Sequence, residues 1–228
     1  VRACTTTRAG GVSEGPWASL NLGDHVDDDP AAVAANRARL AGELALPREP
    51  QWLRQVHGTR VRAPDAEADC ADACFEDRPG RVCAVLTADC LPVLLCNAAG
   101  TRVAAAHAGW RGLVAGVLEQ TAARFDDPPA QILAWLGPAI GPQAFEVGDE
   151  VRAAFVGADT AAAAHFVAKR PGHWLADLYG LARLRLARAG ITQVSGGGFC
   201  TYREPERFYS YRRDGITGRM ASLIWIQP

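Results

Sequence analysis

The sequence predicts an α+β or mixed α/β fold. Apolar runs of strand length and amphipathic runs of helix length both occur, and they follow one another without the strict alternation of a doubly wound parallel sheet. The 228 residues, 49% hydrophobic and 21% charged, can build a sizeable core without covalent staples. No linker, repeat or composition break divides the chain, so 1–228 reads as one domain.

The elements are expected in this order. Arg2–Thr7 is a first strand, followed by a Gly- and Asn-rich loop through Asp29. Pro30, which suits a helix first turn, follows the acidic run Asp27-Asp28-Asp29 and opens a helix over Ala31–Leu46 that Pro47 closes. Gln51–Leu53 and Thr59–Arg62 are short strand candidates around a Gln55-Val56-His57-Gly58 turn. Val82–Ala88, Val93–Cys96 and Arg102–Ala106 are apolar enough for buried strands. The last of these runs into His107-Ala108-Gly109-Trp110-Arg111-Gly112 and a helix over Leu113–Phe125. Ile132–Leu136 is a strand and Gly148–Phe155 a short helix, whose acidic start, Glu146, Asp149 and Glu150, suits the helix dipole. Trp174–Ala189 carries Leu175, Leu178, Leu181 and Ala182 on one face and stops at Gly190. Ser195–Gly198 is a turn, Phe208–Tyr211 an extended run into an Asp214-Gly215 turn, and Ala221–Ile226 a closing strand. His165 and His173 flank Lys169-Arg170-Pro171, a surface loop by composition.

Composition narrows the function. Lys+Arg 24 against Asp+Glu 25 leaves a net charge of −1, without the basic excess of a nucleic-acid binder. No stretch approaches the roughly 18 apolar residues of a membrane span. The start, Val1-Arg2-Ala3-Cys4, lacks signal-peptide features and, without Met, reads as slightly trimmed. Seven Cys with no Cys-x-x-Cys spacing point to mostly buried thiols in a reducing compartment, hence a cytoplasmic location. Oligomeric state is not legible in the sequence.

Chemistry concentrates at strand ends, where a rigid element fixes a side chain and a loop leaves access. His57, Cys90 and His107 occupy such positions. Two imidazoles and a thiolate are a donor set of catalytic zinc, although their separations match no compact zinc motif. The same atoms allow Cys90 as a nucleophile with His107 as its base, or simply a buried thiol and two hydrogen-bonded imidazoles. Arg111 at a helix start offers an anion site or a solvated guanidinium. In Phe208-Tyr209-Ser210-Tyr211-Arg212-Arg213, rings could stack a flat base and Arg meet phosphate, or the segment could be an ordinary strand. His25 reads as a loop His at the rim of a site or in solvent.

Taken together, Thr6–Ser13, Ser19-Leu20-Asn21-Leu22-Gly23, Gln55–Gly58, Thr87-Ala88-Asp89-Cys90-Leu91-Pro92, Ala106–Gly112, Leu136–Pro142 and Ser210–Gly215 resemble, in order and over nearly the whole chain, the YfiH-like family. Its members are also described as multicopper polyphenol oxidases or laccase-domain proteins, and as purine nucleoside phosphorylases. The resemblance implies a single α+β domain with large mixed β-sheets flanked by helices. It implies a zinc ion on His57, Cys90 and His107. It also implies phosphorolysis of adenosine, inosine, guanosine and methylthioadenosine, with deamination of adenosine. Asp27, Glu76 and Gln143-Ala144 depart from the usual pattern, which bears on substrate preference and not on the metal set.

A catalytic zinc brings the pKa of water to about 7, which suits attack on C6 of adenine, with Asp89 as the candidate proton carrier. For phosphorolysis, Arg111 is the candidate phosphate contact, with Arg8 or Arg212 as a second. Copper on the same ligands is the lesser expectation: a multicopper site needs more imidazoles than five His supply, and Met220 is the sole thioether. The rivals are a metal-free Cys90–His107 hydrolase acting on an amide, as in peptidoglycan precursor editing, and a binding protein with a structural metal.

Overall fold

A computed structural model describes residues 1–50, 52–64 and 70–228. In chain order it holds β1 (Arg2–Thr5), α1 (Pro30–Glu43), β2 (Val61–Arg62), β3 (Ala73–Glu76), β4 (Val82–Thr87), β5 (Leu91–Asn97) and β6 (Val103–Ala108). There follow α2 (Trp110–Ala115), α3 (Val117–Ala122), β7 (Ile132–Leu136), β8 (Glu146–Gly148), α4 (Asp149–Ala158), β9 (Phe166–Arg170) and β10 (His173–Ala176). The chain ends with α5 (Leu178–Arg188), β11 (Gln193–Gly196), α6 (Tyr211–Asp214) and β12 (Met220–Trp225). The fold is α+β with a mixed principal sheet, as the sequence implied.

The principal sheet has six strands in the order β11-β7-β5-β6-β3-β2. Its two outer pairs, β11 with β7 and β2 with β3, are parallel, and its inner pairs are antiparallel. Strand alternation sorts its side chains onto two faces. Ala104, Ala106 and Ala108 of β6 face a core shared with Leu113, Leu118, Val151, Leu181 and Leu186 of the helices. Val103 and Ala105 face the other way, onto Cys83 and Val85 of β4 and Ile224 of β12. Strands β1, β12 and β4 form a second sheet, whose far side packs Ala84, Leu86 and Leu223 against Leu20, Leu22 and Leu40 of α1 and its preceding loop. A small sheet, β8-β10-β9, lies beside the helices. No helix among the described residues is long and apolar enough to cross a membrane.

Several expectations need correction. The helix expected over Leu113–Phe125 starts earlier, at Trp110, and breaks at Gly116, whose φ of 100° ends α2 in the left-handed region. Trp174–Ala176 belongs to β10, and the helix begins only after Asp177, because Trp174 is held in the sheet against β8 and β9. Lys169 and Arg170 belong to β9, with only Pro171 and Gly172 in the turn to β10, and Glu146 pairs in β8 instead of capping α4. Ser195 and Gly196 end the parallel strand β11. The segment after Phe208 forms the short helix α6, capped by the Ser210 hydroxyl, which accepts from Arg213 N–H. Trp52 and Leu53 lie in no strand, and Gln51 lies outside the described residues.

Candidate active site

Strand pairing assembles the site at one end of the principal sheet. Antiparallel β5 and β6 put Leu91 opposite Ala108, so Cys90, just before β5, lies beside His107 near the end of β6. Antiparallel β3 and β6 put Ala73 opposite Ala106, which brings Asp72 beside His107 as well. Parallel β2 pairs Val61 with Ala73, so the turn before β2 arrives at the same place.

That turn is built on Asp72, a fully buried carboxylate. Its Oδ2 accepts the N–H groups of Val56 (3.1 Å) and Gly58 (2.6 Å). Its Oδ1 accepts the His57 N–H (2.8 Å) and contacts His107 Nδ1 (2.8 Å). One side chain thus fixes the backbone of the His57 turn, where His57 sits at φ 59°, and the ring of His107. Gln55 anchors the same turn to β4, donating to the Leu86 carbonyl (2.8 Å) and accepting the Leu86 N–H (2.7 Å). Burial pushes the Asp72 carboxyl up, but the His107 hydrogen bond and the turn N–H groups outweigh it, and the pKa ends below the ordinary value.

With Nδ1 of His107 turned to Asp72, Nε2 is the nitrogen left for a ligand, the usual arrangement when a carboxylate orients a metal-binding His. Cys90 Sγ lies 3.7 Å from His57 Nε2, and the two imidazole centroids are 4.8 Å apart. The ligand atoms of His57, Cys90 and His107 all fall within 4.8 Å of one another, a spacing that lets one metal ion take all three. Burial raises the Cys90 thiol, yet His107 and His57 beside it bring it down to about 6. Burial lowers His107, but the Cys90 charge and the Asp72 hydrogen bond carry it up to about 9. Before any metal arrives, the pair therefore favours thiolate and imidazolium, and a metal displaces the imidazolium proton.

The helix that follows must come very close. A Cβ on Gly109 would stand 2.7 Å from His57 Cδ2 and 3.1 Å from Cys90 Sγ, and one on Gly112 would stand 2.8 Å from the Gly58 carbonyl. Gly109→Ala is expected to push His57 and Cys90 apart and to lower the metal bound per chain, read by elemental analysis, while the far-ultraviolet circular dichroism stays that of the parent.

The three donors line a cavity of about 560 Å³. Asp89, Arg111 and Arg212 line it too, along with Trp110, Phe145 and Tyr211. Arg111 stacks on Trp110 at 4.5 Å from the ring centroid. Arg212 donates from Nη1 to the Glu146 carbonyl (2.7 Å) and lies over Phe145. Asp89, at φ 94°, accepts the Thr201 hydroxyl on Oδ1 (2.6 Å) and the Arg212 N–H on Oδ2 (2.6 Å). Its two oxygens thus tie α6 to the cavity wall, an arrangement that suits orienting Arg212 more than carrying a proton. Arg8 does not line the cavity: its guanidinium donates to the carbonyls of Ala18 (3.0 Å) and Pro205 (3.1 Å) and lies over Tyr209. His25 is on the lining, whereas His165 and His173 face Asp177 and Glu146 elsewhere. No site role was read from the sequence for Asp72, Gln55, Thr201 or Arg219, and Gln55 and Arg219 also line the cavity. The one local signal for Asp72 was a carboxylate set into the apolar run Ala71–Phe75.

Residues 2–227 match the family model for multi-copper polyphenol oxidoreductase laccase. The chain belongs to this laccase family. Within it, the chain is 58% identical over 229 residues to a purine nucleoside phosphorylase of Pseudomonas aeruginosa, spanning 100% of this chain and 94% of the relative. It is likewise 58% identical over 229 residues to the purine nucleoside phosphorylase YfiH of Escherichia coli, spanning 99% and 94%. The crystal structure of a Neisseria meningitidis protein, 52% identical, superposes with a TM-score of 0.95 over 99% of this chain and 94% of that one. YlmD from Geobacillus stearothermophilus, 33% identical, gives 0.90 over 99% and 92%.

The copper in the laccase family's description can be tested against the donors. Among the described residues, His57, Cys90 and His107 are the one cluster of three or more metal-ligating side chains. Met220 is buried, and its sulfur accepts the Tyr209 N–H (3.0 Å) inside the core. The donors fit a single ion with an open position, as in catalytic zinc sites. They do not supply the several imidazole-rich centres of a multicopper oxidase.

Proposed function

We propose that the protein is a zinc-dependent purine nucleoside phosphorylase acting on adenosine, inosine, guanosine and methylthioadenosine, and that the same cavity deaminates adenosine. The observation that carries this reading is the placement of a three-donor metal set and several guanidinium groups on one cavity with aromatic walls. The names of the close relatives support it.

His57, Cys90 and His107 would hold the zinc, which when bound supplies Lewis acidity to a substrate oxygen. Trp110, Phe145 and Tyr211 offer flat apolar surface to the purine. Arg111 and Arg212 meet the phosphate that attacks C1′ of the ribose as the glycosidic bond breaks and the base departs. Asp89 acts through Arg212, as a positioning residue.

The test is adenosine incubated with zinc-loaded protein, with and without phosphate, and the products separated. Adenine and ribose-1-phosphate are expected only when phosphate is present, and inosine with or without it. Adenine release that ignores phosphate would overturn the phosphorylase reading. A second reading pairs Cys90 with His107 as its base and draws on the Cys90 thiol being brought below its ordinary range by His107 and by His57, 3.7 Å away. There Cys90 would attack an amide without metal. It requires hydrolysis of amides by metal-free protein and its loss on zinc loading, because zinc would occupy the thiolate.

A further inference from the structure

The segment Ser19–Gly23 has no side chain in the chemistry described above, yet it is built around one residue on the cavity wall. Asn21 is fully buried. Its Oδ1 accepts the N–H groups of Gly23 (2.9 Å) and Arg219 (2.9 Å). The Leu22 N–H donates to the Arg219 carbonyl (3.2 Å). Gly23 leaves room for the Arg219 stem: a Cβ there would stand 2.8 Å from Arg219 Cγ and 3.1 Å from its Cβ. Asn36, also fully buried, donates to the Asn21 carbonyl (2.9 Å) and the Ser19 carbonyl (3.1 Å), so the support is itself supported.

The residue so held has an incomplete set of partners. Arg219 Nη1 donates to the carbonyls of Thr217 (2.9 Å) and Gly218 (3.0 Å). Among the described residues, no carboxylate forms an ion pair with its guanidinium. Of the three arginines on the cavity, Arg111 and Arg212 are exposed and Arg219 is half-buried. Burial lowers its pKa more than Cys90, Asp89 and Tyr211 raise it. Withdrawing a cation from water without a carboxylate in contact is costly, and proteins tolerate it where a ligand supplies that charge. The cavity sets three guanidinium groups against the Asp89 carboxylate and the Cys90 thiolate, and Asp89 already accepts from Thr201 and Arg212.

We infer that Arg219, aimed by Asn21 and Gly23, is the principal phosphate-binding residue of this cavity. The inference rests on the phosphorylase reading for the identity of the anion. A tetrahedral oxyanion matches the fork of a guanidinium, whose position is already fixed by the backbone of Thr217 and Gly218. Arg111 and Arg212 then complete the anion's shell from the exposed side. This assignment also accounts for the distance between sequence motif and function: the N-terminal motif shapes the substrate site without touching substrate.

The test is Arg219→Met, which keeps the stem over Gly23 and removes the charge. The apparent KM for phosphate is expected to rise about 10- to 100-fold, the range for a hydrogen bond to a charged group, with the KM for nucleoside within about twofold. Inorganic phosphate alone is expected to raise the Tm of the parent and not that of the variant. An unchanged phosphate KM with an unchanged Tm response overturns the inference and leaves the phosphorylase reading standing. No phosphorolysis by the parent, with a phosphate Tm response that Arg219→Met abolishes, overturns the phosphorylase reading and leaves the anion site standing. No Tm response in the parent, together with no phosphorolysis, overturns both. Should Arg219→Met fail to fold, Arg219→Lys retains the charge and loses the fork; it is expected to raise the phosphate KM several-fold, and an unchanged value overturns the inference.

Discussion

Cys90→Ala is expected to abolish zinc retention and to lower nucleoside phosphorolysis by more than the roughly 10–100-fold that follows loss of an outer partner of a metal ligand. The thiolate is the one anionic donor of the three and lies 3.7 Å from His57 Nε2. Removing it leaves two imidazoles, one of which is oriented by Asp72 and the other held on a turn. Two neutral donors make a poor zinc site. Elemental analysis after dialysis and product analysis with phosphate read the two effects separately. Full zinc content in the variant would show that the metal does not depend on Cys90, and unchanged turnover would remove Cys90 from the site. The fold should tolerate the change, because Cys90 lies just before β5 and contributes no large apolar surface.

Strands such as β4 and β12 were legible because both faces are covered, which makes their sequences continuous apolar runs. Helix α1 was legible because Asp29 and Pro30 announce its start, and the Asp29 carboxylate does accept the Ala31 N–H (2.9 Å). Strands β9 and β10 were hidden because Phe166–Arg170 is mostly exposed and carries little hydrophobic pattern. The break at Gly116 was hidden because a single Gly inside a helical pattern is usually tolerated.

In the site, His57, Cys90 and His107 sit in short motifs at strand ends and were found there. Asp72 joins them only through the β3–β6 pairing, from 35 residues away, and nothing local predicts that register. The arginines illustrate the same limit. Arg8 lies in a recognisable motif, yet its guanidinium serves the carbonyls of Ala18 and Pro205. Arg219 lies outside the motifs that carried the resemblance, and a contact with Asn21, 198 residues away, brings it to the cavity.

Asp72→Ala is expected to be the most destabilising single change at the site. The carboxylate is fully buried and satisfies three backbone N–H groups and His107 Nδ1. Truncation leaves those donors in a space that water does not reach freely, and breaking a buried charge pair in this way costs about 3–5 kcal/mol. For a chain of this size, that corresponds to a fall in Tm of roughly 6–20 °C. The His57 turn then loses the group that holds its left-handed backbone, and His107 loses the group that selects its tautomer. Zinc affinity should therefore fall about 10–100-fold even where the chain remains folded.

The pH dependence separates this charge from simple packing. Folding holds the Asp72 carboxyl below its ordinary value, so it contributes stability that is complete above the roughly 3.9 of an unfolded Asp. That contribution is lost as pH falls toward the folded pKa. The stability difference between parent and variant, measured by urea unfolding, should shrink below about pH 4, and it should also shrink as pH rises from about 6.5 toward 9, where the His107 imidazolium that Asp72 helps to hold is lost. A difference that stays constant through the acid range would assign the loss to the cavity left behind, and not to the carboxylate that binds the turn and the imidazole together.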